Sequence, residues 1–348
     1  MQDSRTLADG DTGALLDEAR VSAWLDTHLP GEGEPIAITP ITGGSSNLLF
    51  RLDRAGQQFV LRRPPREKYD PTSHNMAREV RLLRALGQTD VPHPRFVAFC
   101  EDAGVTGAPF LVMGYVDGFS PIGAFPQPFE SDLTLRREIG FGMVDALAKL
   151  AKVDWSAIGL EGFGKPEGFL NRQADRWMGQ LARYQTRTIP HLDALAAWLR
   201  DNRPTQVATG LMHGDYSFPN VMYARDLPVR MAAIVDWESC TIGDPLLDLG
   251  HLLAGWCDPG EDRTYLRGAD WRGMPTRAEM AARYSALTGL PVDAIDYYRV
   301  LALFKLAIIL EGAYSRVIAG QNDYAPHRTL EQRVPKFIEQ AWGWAQSA

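Results

Sequence analysis

One eight-residue segment carries more chemical information than any other part of the chain: His213-Gly-Asp215-Tyr-Ser-Phe-Pro-Asn220. It is followed by Ile234-Val-Asp236-Trp-Glu238, so a second aspartate lies sixteen residues past the asparagine. The spacing combines a free carboxylate with a neutral and a charged oxygen ligand, which together suit a hard divalent cation. The pattern therefore predicts Asp215 as a base and Asn220 and Asp236 as ligands of magnesium.

The same order of residues is what phosphoryl transfer to an alcohol requires. This reaction depends on positioning and on charge neutralisation more than on covalent participation of the protein. Asp215 would orient the acceptor hydroxyl, while the cation ligands would hold the phosphate-bound metal. The alternative is that an aspartate and an asparagine beside Gly214 and Pro219 only build a polar turn, which is a common role of such residues.

Composition indicates a globular chain large enough for two lobes. The 348 residues include 45% hydrophobic and 23% charged residues, and the net charge is −7. This negative charge argues against a nucleic-acid partner, although local cations and backbone N–H groups still suffice to bind a nucleotide. Three cysteines at Cys100, Cys240 and Cys257 match neither a zinc site nor a disulfide framework, so reduced thiols are expected.

The sequence contains neither a secretory signal at its acidic N-terminus nor an apolar run long enough to span a bilayer. The longest apolar patch, Val300–Leu310, is interrupted by Lys305 and is predicted to be a core helix. A cytoplasmic protein without a membrane partner is therefore expected.

Hydrophobic patterning predicts an α+β fold with a smaller N-terminal lobe of residues 1–116. Residues 1–14 are expected to be flexible, and a helix is expected over Leu15–Leu29. Antiparallel strands and one further helix follow. The strands are predicted at Ile36–Ile41, Asn47–Leu52, Gln58–Arg62, Phe96–Cys100 and Pro109–Tyr115, and the helix at Met76–Leu86.

Residues 117–348 are predicted to form a larger, mostly helical lobe. Its helices are expected at Leu133–Ala151, Leu170–Thr186, Leu192–Arg200 and from Leu246 onward. The catalytic segment interrupts them between two short strands, Ala208–Met212 and Met231–Asp236. The short boundary between the lobes would allow a hinge motion.

These motifs resemble the aminoglycoside and choline phosphotransferase family, whose bilobal fold is like that of protein kinases. The resemblance covers roughly residues 35–320. Two further segments, Gly164-Lys-Pro-Glu-Gly168-Phe-Leu-Asn-Arg172-Gln173 and Val235-Asp-Trp-Glu238 through Gly243-Asp-Pro245, resemble a branch of this family. That branch includes the kinase-like domains fused to acyl-CoA dehydrogenases. The implied cofactors are ATP and Mg²⁺, with the choice between ATP and GTP left open.

The resemblance also implies a nucleotide site in the N-terminal lobe. Its phosphate-covering loop would be Ile41–Asn47, with Gly43, Gly44, Ser45 and Ser46 contacting the nucleotide. Arg62 stands where the family usually has a lysine on a strand, and a guanidinium suits phosphate oxygens. We favour Arg62 over Arg63, which faces the opposite side of the strand.

Two further nucleotide-site assignments follow from the resemblance. Glu79 is expected to hold the Arg62 cation, the alternative being one more exposed charge on a charged helix. The backbone of Met113, Gly114 and Tyr115 is expected to bind the adenine edge, although the same residues would also suit a buried strand.

Other polar residues near the motif have weaker assignments. Glu238 is a possible additional metal-shell carboxylate. His213 is expected to brace the catalytic loop, and Asp244 and Asp248 to anchor loop and helix starts through backbone N–H groups. Possible acceptor contacts are Arg172, Arg176 and Trp177, for which a plain helix face is an equally good explanation.

The acceptor itself is poorly specified by sequence. Gly214 occupies the place of an arginine that reads activation-loop phosphate in many protein kinases, which makes a protein acceptor less expected. Residues 258–300 hold seven acids and six arginines, a net of 7 − 6 = 1 negative charge, which gives no strong support for a surface that binds a polycationic antibiotic. By analogy with the branch, a hydroxyacyl thioester or another hydroxy metabolite is a candidate. The alternative function is a nucleotide-binding regulator or scaffold, suggested by the arginine at position 62.

Overall fold

A computed structural model describes residues 16–41, 47–64, 76–205, 207–261, 268–321 and 325–348. The chain divides into two compact units. The first comprises the residues up to Asp117 together with Ala233–Glu238, and the second comprises Gly118–Ala232 and Ser239–Ala348. The predicted C-terminal lobe of residues 117–348 includes residues 233–238, whereas the structure groups this short segment with the first unit. The predicted flexible segment 1–14 lies outside the described residues.

The first unit is built on a five-stranded antiparallel sheet with the order β1-β2-β3-β5-β4. Its strands are β1 (Ile36–Ile41), β2 (Leu48–Arg54), β3 (Gln57–Arg63), β4 (Phe96–Cys100) and β5 (Phe110–Gly114). Its helices are α1 (Glu18–Asp26), α2 (Met76–Leu86) and the short α3 (Ala103–Thr106). The predicted strands and the Met76–Leu86 helix are confirmed, and the α+β class with them.

Helix α1 is shorter than predicted because its N-terminus is set by a cap. The Asp17 side chain accepts a hydrogen bond from the backbone N–H of Arg20, so the helix begins at Glu18 rather than at Leu15. It ends at Asp26, where the Thr27 hydroxyl donates to the carbonyl of Trp24. Val21 and Leu25 on this helix are fully buried in the core of the first unit.

The two faces of β3 have different environments. Phe59 and Leu61 point into the hydrophobic core together with Phe50, Leu52 and residues of α1. Because side chains alternate along a strand, Arg62 points to the opposite face. The seven-residue strand has five consecutive buried positions at its end, which is expected for the central strand of the sheet.

The second unit is mainly helical, as predicted. Its helices are α4 (Leu133–Ala151), α5 (Phe169–Leu181), α6 (Leu192–Asp201), α7 (Leu246–Ala254), α8 (Arg277–Thr288), α9 (Ile295–Ile318), α10 (Ala325–Arg328) and α11 (Leu330–Ser347). Short strands β6 (Gly210–Met212) and β9 (Thr241–Gly243) pair antiparallel, and β7 (Val221–Tyr223) and β8 (Met231–Ile234) form another two-stranded sheet.

Several predicted bounds differ for identifiable reasons. Helix α5 ends five residues before the predicted Thr186, because Arg183 and Tyr184 make tighter turns to the carbonyls of Gln180 and Leu181. Strand β8 stops at Ile234, before the predicted Asp236. Asp236 has φ 66°, which lies in the left-handed region and is incompatible with a strand.

Helix α9 forms the core of the second unit, as predicted for the apolar patch within it. It packs against α7 and α11 and buries a long apolar face that includes Val300, Leu303 and Phe304. Gly250 permits the close approach of α7, because a Cβ built at this position would lie 2.6 Å from the backbone carbonyl carbon of Tyr298.

We expect Gly250→Ala to lower the free energy of unfolding by about 1–3 kcal/mol, because the added methyl group meets backbone that cannot move without shifting α9. Gly179→Ala is the matched control, since Gly179 lies in α5 and a Cβ there meets nothing within 4 Å. That substitution should instead stabilise the protein by about 0.5–1 kcal/mol through helix propensity. Urea unfolding measures both. Equal effects of the two substitutions would contradict the packing argument.

Candidate functional site

The loop that carries the predicted base follows β6 in the second unit. It starts at His213 and ends in a single 3-10 turn over Phe218–Asn220, directly before β7. Gly214 has φ +84°, and a Cβ there would lie 2.5 Å from the carbonyl oxygen of Ser239. A side chain is therefore excluded at this position on both conformational and steric grounds. The arginine that many protein kinases have at this position would therefore not fit here.

Asp248, in the first turn of α7, clamps the start of this loop. Its two carboxylate oxygens accept the backbone N–H groups of His213 at 2.5 Å and of Gly214 at 2.8 Å. Burial raises the pKa of Asp248 to about 6, although the two backbone hydrogen bonds act to lower it. Asp244 plays the related role expected of it at the helix start, where it accepts the N–H of Leu246 and the hydroxyl of Tyr298.

Within the loop, the predicted base and the predicted amide ligand lie together. The Asn220 amide group donates to the backbone carbonyl of Asp215 at 2.8 Å and to its carboxylate at 3.0 Å. The backbone N–H of Asp215 in turn donates to Nδ1 of His213, 3.2 Å away. These bonds hold the Asp215 carboxylate in one place and leave the amide oxygen of Asn220 as the atom suited to a cation.

Lys305 is a residue that sequence reasoning did not assign to the site. It comes from the middle of α9, and its ammonium group donates to the carbonyl of Gly214, the residue before Asp215. The ring of Trp177 lies 5.7 Å from the Lys305 nitrogen. Burial lowers the pKa of Lys305, and the charges of Asp215 and Asp248 oppose that shift. The only sequence signal was a charged residue inside an apolar helix.

His251 on α7 is a second group near Asp215 that the sequence did not indicate. Its Nε2 lies 3.4 Å from Oδ1 of Asp215, and its side chain is buried. Burial, with the charges of Lys305 and His213, lowers the pKa of His251 to about 3. The ring is therefore neutral at physiological pH, so it forms no ion pair with the carboxylate.

The three predicted acceptor contacts lie on α5 but differ in their surroundings. Arg172 donates to the carbonyls of Lys165 and Glu167, which ties its guanidinium to the preceding loop. Trp177 is buried, and its indole N–H donates to Gln173 at 3.2 Å. Arg176 is exposed and lies over the same tryptophan ring at 5.1 Å. Both Arg176 and Lys305 therefore lie near the Trp177 ring. The role of Trp177 as an acceptor contact stays a prediction.

In the first unit, Arg62 lies among three carboxylates. Its guanidinium is 3.4 Å from Glu79, 2.9 Å from Asp236 and 3.2 Å from Glu238. Asn47 also donates to Glu238 at 3.1 Å. The carboxylates outweigh the opposing effect of burial and raise the pKa of Arg62, so it stays charged. Arg63 is fully buried rather than solvated, and its guanidinium donates to the carbonyl of Pro64.

Glu79 is the buried carboxylate of this cluster, with 6% of its surface exposed. Burial raises the pKa of its carboxyl to about 7, although the Arg62 charge acts to lower it. The side chain is therefore not one more exposed charge on the surface of α2. Asp236 and Glu238 are much more open, with side chains that are 42% and 40% exposed.

The backbone at Asp236 is strained for a residue with a side chain. Its φ of 66° is one of three positive values at non-glycine residues in the described part of the chain. The next residue, Trp237, is buried and its indole donates to the carbonyl of Ile234 at 2.9 Å, which fixes the turn. An outlier of this kind is typical of a side chain whose direction matters for function.

The Arg62 cluster fits a magnesium nucleotide in its donor chemistry. One guanidinium faces three carboxylates, so the group carries excess negative charge that a divalent cation would balance. Both of the exposed carboxylates offer the hard oxygen ligands that magnesium prefers. Among the described residues, the buried Nε of Arg62 has no hydrogen-bond partner, and a phosphate oxygen would satisfy it. No group of three or more His, Cys, Asp and Glu side chains arranged for a metal occurs in the part of the chain that the structure describes.

The predicted hinge strand has its backbone donors partly used. The N–H of Gly114 donates to the carbonyl of Arg95 at 2.8 Å, and the N–H of Tyr115 donates to the carbonyl of Gln58 at 3.2 Å. A contact of these two residues with a nucleobase would therefore use their carbonyl oxygens. The predicted phosphate-loop residues Gly43, Gly44, Ser45 and Ser46 lie outside the described residues.

A five-stranded sheet with a helix that supplies an ion-paired glutamate, and a helical unit with an aspartate–asparagine loop, define a phosphotransferase with a protein-kinase-like fold. Residues 37–283 match the model of the phosphotransferase enzyme family. The chain belongs to this family. None of the helices in the described residues is long and apolar enough to cross a membrane.

Three relatives illustrate the match. The chain is 30% identical over 334 residues to acyl-CoA dehydrogenase family member 10 of Mus musculus, covering 94% of this chain and 31% of that protein. It is 31% identical over 322 residues to acyl-CoA dehydrogenase family member 11 of Rattus norvegicus, a match that covers 88% of this chain and 40% of that protein. A solved structure from Ralstonia eutropha, provisionally assigned as an aminoglycoside phosphotransferase, is 32% identical in sequence and superimposes with a TM-score of 0.82. The match covers 96% of this chain and 99% of that one. The chain therefore spans less than half of these two curated relatives.

We expect the pH dependence of stability to report on Glu79. Its folded-state pKa of about 7 exceeds the ordinary value of 4.5, so the folded state binds this proton more tightly than the unfolded state does. The contribution of Glu79 to stability should therefore fall as pH rises from about 4.5 to about 7. Glu79→Gln removes this titration, so the free energy of unfolding of the variant should rise relative to wild type over that range.

Chemical unfolding at a series of pH values tests this expectation. Glu18→Gln is the matched control, because Glu18 is exposed in the first turn of α1, and its difference from wild type should stay flat. A flat difference for Glu79→Gln as well would contradict the assigned pKa.

For the predicted phosphotransferase reaction, Lys305→Met should lower kcat by about 100-fold while leaving the KM for ATP nearly unchanged, because loss of the Gly214 contact displaces the predicted base Asp215 without touching the predicted nucleotide site. Lys336→Met is the control, since Lys336 is exposed on α11. Steady-state kinetics and urea unfolding of both variants separate misplacement of the loop from loss of fold. A folded Lys305→Met variant with wild-type kcat would show that the ammonium contributes nothing to the position of Asp215.

Proposed function

We propose that this protein is an ATP- and Mg²⁺-dependent phosphotransferase that moves the γ-phosphoryl group to a hydroxyl of a small molecule, with Asp215 as the base. Family membership supports the phosphotransferase class. The observation that carries the proposal is the hydrogen bonding of the Asp215 loop, in which Asn220, His213 and the Asp248 clamp hold one partly exposed carboxylate in a fixed position.

In the proposed reaction, Asp215 accepts a hydrogen bond from the acceptor hydroxyl and takes its proton as the oxygen attacks. The bond from phosphorus to the β–γ bridging oxygen breaks, and a bond from phosphorus to the acceptor oxygen forms. ADP leaves with the electron pair of the broken bond. The neutral state of His251 matters here, because a charged imidazolium at 3.4 Å would stabilise the carboxylate and weaken it as a base.

Magnesium, when bound, would neutralise charge on the phosphates, and Asp236 and Asn220 are the residues proposed to hold it. Glu238 is a further candidate, since it shares the Arg62 guanidinium with Asp236. Arg62 would donate to phosphate oxygens from the position usually held by a lysine. Glu79 would keep Arg62 oriented toward them, and this ion pair supports the choice of Arg62 over Arg63.

We propose an acceptor that is a hydroxyacyl-CoA or another hydroxy metabolite. The two curated relatives are named for acyl-CoA dehydrogenase activity, and the chain matches only 31% and 40% of their lengths. A kinase unit joined to such an enzyme would suit a substrate that shares its acyl thioester chemistry. The near balance of acids and arginines in residues 258–300 gives no support for a polycationic aminoglycoside.

A second candidate function is a nucleotide-binding regulator or scaffold with little turnover. The observation that favours it is the Arg62 cluster, because a guanidinium shared by three carboxylates has less freedom to engage phosphate than a lysine has. The two functions predict different outcomes of one assay. Magnesium-dependent formation of a phosphorylated product would exclude the regulator.

Asp215→Asn should lower kcat by about 100-fold or more while ATP still binds, because the amide cannot take the hydroxyl proton. Asp201→Asn is the matched control, since Asp201 is exposed at the end of α6. ADP release and phosphorylated product are measured across hydroxyacyl-CoA esters, choline-like alcohols, sugars and aminoglycosides. Addition of EDTA should abolish turnover of the wild-type protein.

The result that would overturn the base assignment is a near wild-type rate in Asp215→Asn with nucleotide binding intact. ATP binding by the wild-type protein without product from any acceptor class would instead favour the regulator. These two outcomes can be told apart, because an active Asp215→Asn variant forms phosphorylated product, whereas a nucleotide-binding regulator forms none.

A further inference from the structure

Helix α5 carries two arginines on one face, and neither has a carboxylate partner in the ranges that the structure describes. Arg172 and Arg176 are four residues apart, so their side chains leave the same face of the helix. The one acid in α5, Asp175, pairs instead with Arg200 at 2.8 Å. Like charges at this spacing repel each other. An anion from outside the chain would relieve that repulsion.

The two arginines differ in how their guanidinium groups are used. Arg172 donates to the carbonyls of Lys165 and Glu167, which holds it against the preceding loop. Arg176 is exposed, and among the described residues its guanidinium makes no hydrogen bond or ion pair with another side chain. It lies over the ring of Trp177 at 5.1 Å. A contact with a ring face holds a guanidinium without using its N–H donors, so those of Arg176 remain available to a ligand.

Lys305 brings a second cation to the same tryptophan ring. Its nitrogen lies 5.7 Å from the ring centre of Trp177. An ammonium group has several N–H donors, and the carbonyl of Gly214 is the one acceptor that Lys305 has within the described ranges. Burial is the main cause that lowers the pKa of Lys305, and the charge of Arg176 acts in the same direction, so the two cations are close enough to repel each other.

The contact of Lys305 with the loop places these cations near the proposed base. Gly214, whose carbonyl Lys305 binds, directly precedes Asp215 in the chain. A molecule whose hydroxyl contacts Asp215 therefore has Lys305 beside it and Arg176 at the same tryptophan ring. The Asp215 carboxylate repels a negative charge, so an anionic group on that molecule would point away from Asp215 and toward the two cations.

We propose that Arg176 and Lys305 bind an oxyanion group of the acceptor, a carboxylate or a phosphate, so that the acceptor is an anionic alcohol. The proposal rests on the proposed function, since Asp215 must be the base for these cations to lie beside the acceptor. Ammonium and guanidinium groups form their strongest hydrogen bonds with such oxyanions. A neutral alcohol would gain no charge-assisted bond here, and a polycationic amino sugar would meet two like charges.

Isothermal titration calorimetry of the full chain with two matched pairs of probes tests the proposal. The first pair is 3-hydroxybutyrate and its neutral amide, which differ in a carboxylate. The second pair is the 3-hydroxybutyryl thioesters of 4′-phosphopantetheine and of pantetheine, which differ in one phosphate. The anionic member of at least one pair should bind about tenfold more tightly than its neutral partner, because it gains charge-assisted hydrogen bonds. The pair that shows this preference identifies the oxyanion as carboxylate or phosphate.

Arg176→Gln locates the binding, because it removes the charge and keeps a residue of good helix propensity. Affinity for the anionic probe should fall about threefold or more, while affinity for the neutral partner stays unchanged. Lys305→Met should lower the same affinity about tenfold, since Lys305 is less exposed than Arg176. Arg328→Gln is the matched control, because Arg328 is exposed on α10, and it should change neither affinity.

Two results would overturn the proposal. The first is that neither anionic probe binds more tightly than its neutral partner, which includes the case in which no probe binds. The second is a preference for the anionic probe that Arg176→Gln and Arg328→Gln leave equally unchanged, because the anion would then bind elsewhere on the chain.

Failure of this proposal is distinguishable from failure of the proposed function. Phosphorylation of a neutral alcohol at the same rate by wild type and by Arg176→Gln would remove the anion site and leave the kinase. Binding of an anionic probe that depends on Arg176, in a protein that phosphorylates no alcohol, would establish the anion site and overturn its assignment to a kinase acceptor.

Discussion

The clamp between Asp248 and the backbone of His213 and Gly214 is the interaction on which the proposed chemistry depends. A carboxylate buried in the first turn of α7 accepts both N–H groups, which would otherwise be buried donors without partners. Gly214 makes the clamp possible, since a side chain there would collide with Ser239. Lys305 completes it by binding the Gly214 carbonyl from α9. The position of Asp215 is therefore set by contacts from two core helices together with the hydrogen bonds within the loop.

The charged cluster of the first unit differs from the Asp215 loop, because ion pairs between side chains hold its groups together, whereas hydrogen bonds to the backbone clamp the start of the loop. Arg62 is buried with an excess of carboxylate around it, and burial holds the pKa of Glu79 near 7. Such a cluster is incompletely compensated without a further cation, because one guanidinium faces three carboxyl groups, of which Glu79 is buried and Asp236 and Glu238 are partly exposed. The left-handed backbone of Asp236 adds local strain to the same cluster. Both features are typical of a ligand site that tolerates a cost in stability for the sake of binding.

Many elements of the fold could be predicted because they depend on the local pattern of hydrophobic and polar residues. Alternation along the strands and the period of the Met76–Leu86 helix predicted the first unit, and the Asp215–Asn220–Asp236 order suggested the proposed chemistry. Lys305 and His251 could not be found in this way, since long-range packing brings α9 and α7 to the loop. The burial of Arg63 and the turn at Asp236 also depend on tertiary contacts. Local periodicity predicts elements, whereas the partners of a buried charge are decided by the whole fold.

The central claim is that the chain transfers phosphate from ATP to an alcohol, and ³¹P NMR of a reaction mixture tests it most directly. Wild-type protein, magnesium and ATP would be incubated in turn with hydroxyacyl-CoA esters and the other alcohol classes. The account predicts a new phosphate monoester resonance with one class, in one-to-one proportion with ADP. Formation of ADP and inorganic phosphate alone, or no change in a sample shown to bind ATP, would contradict it.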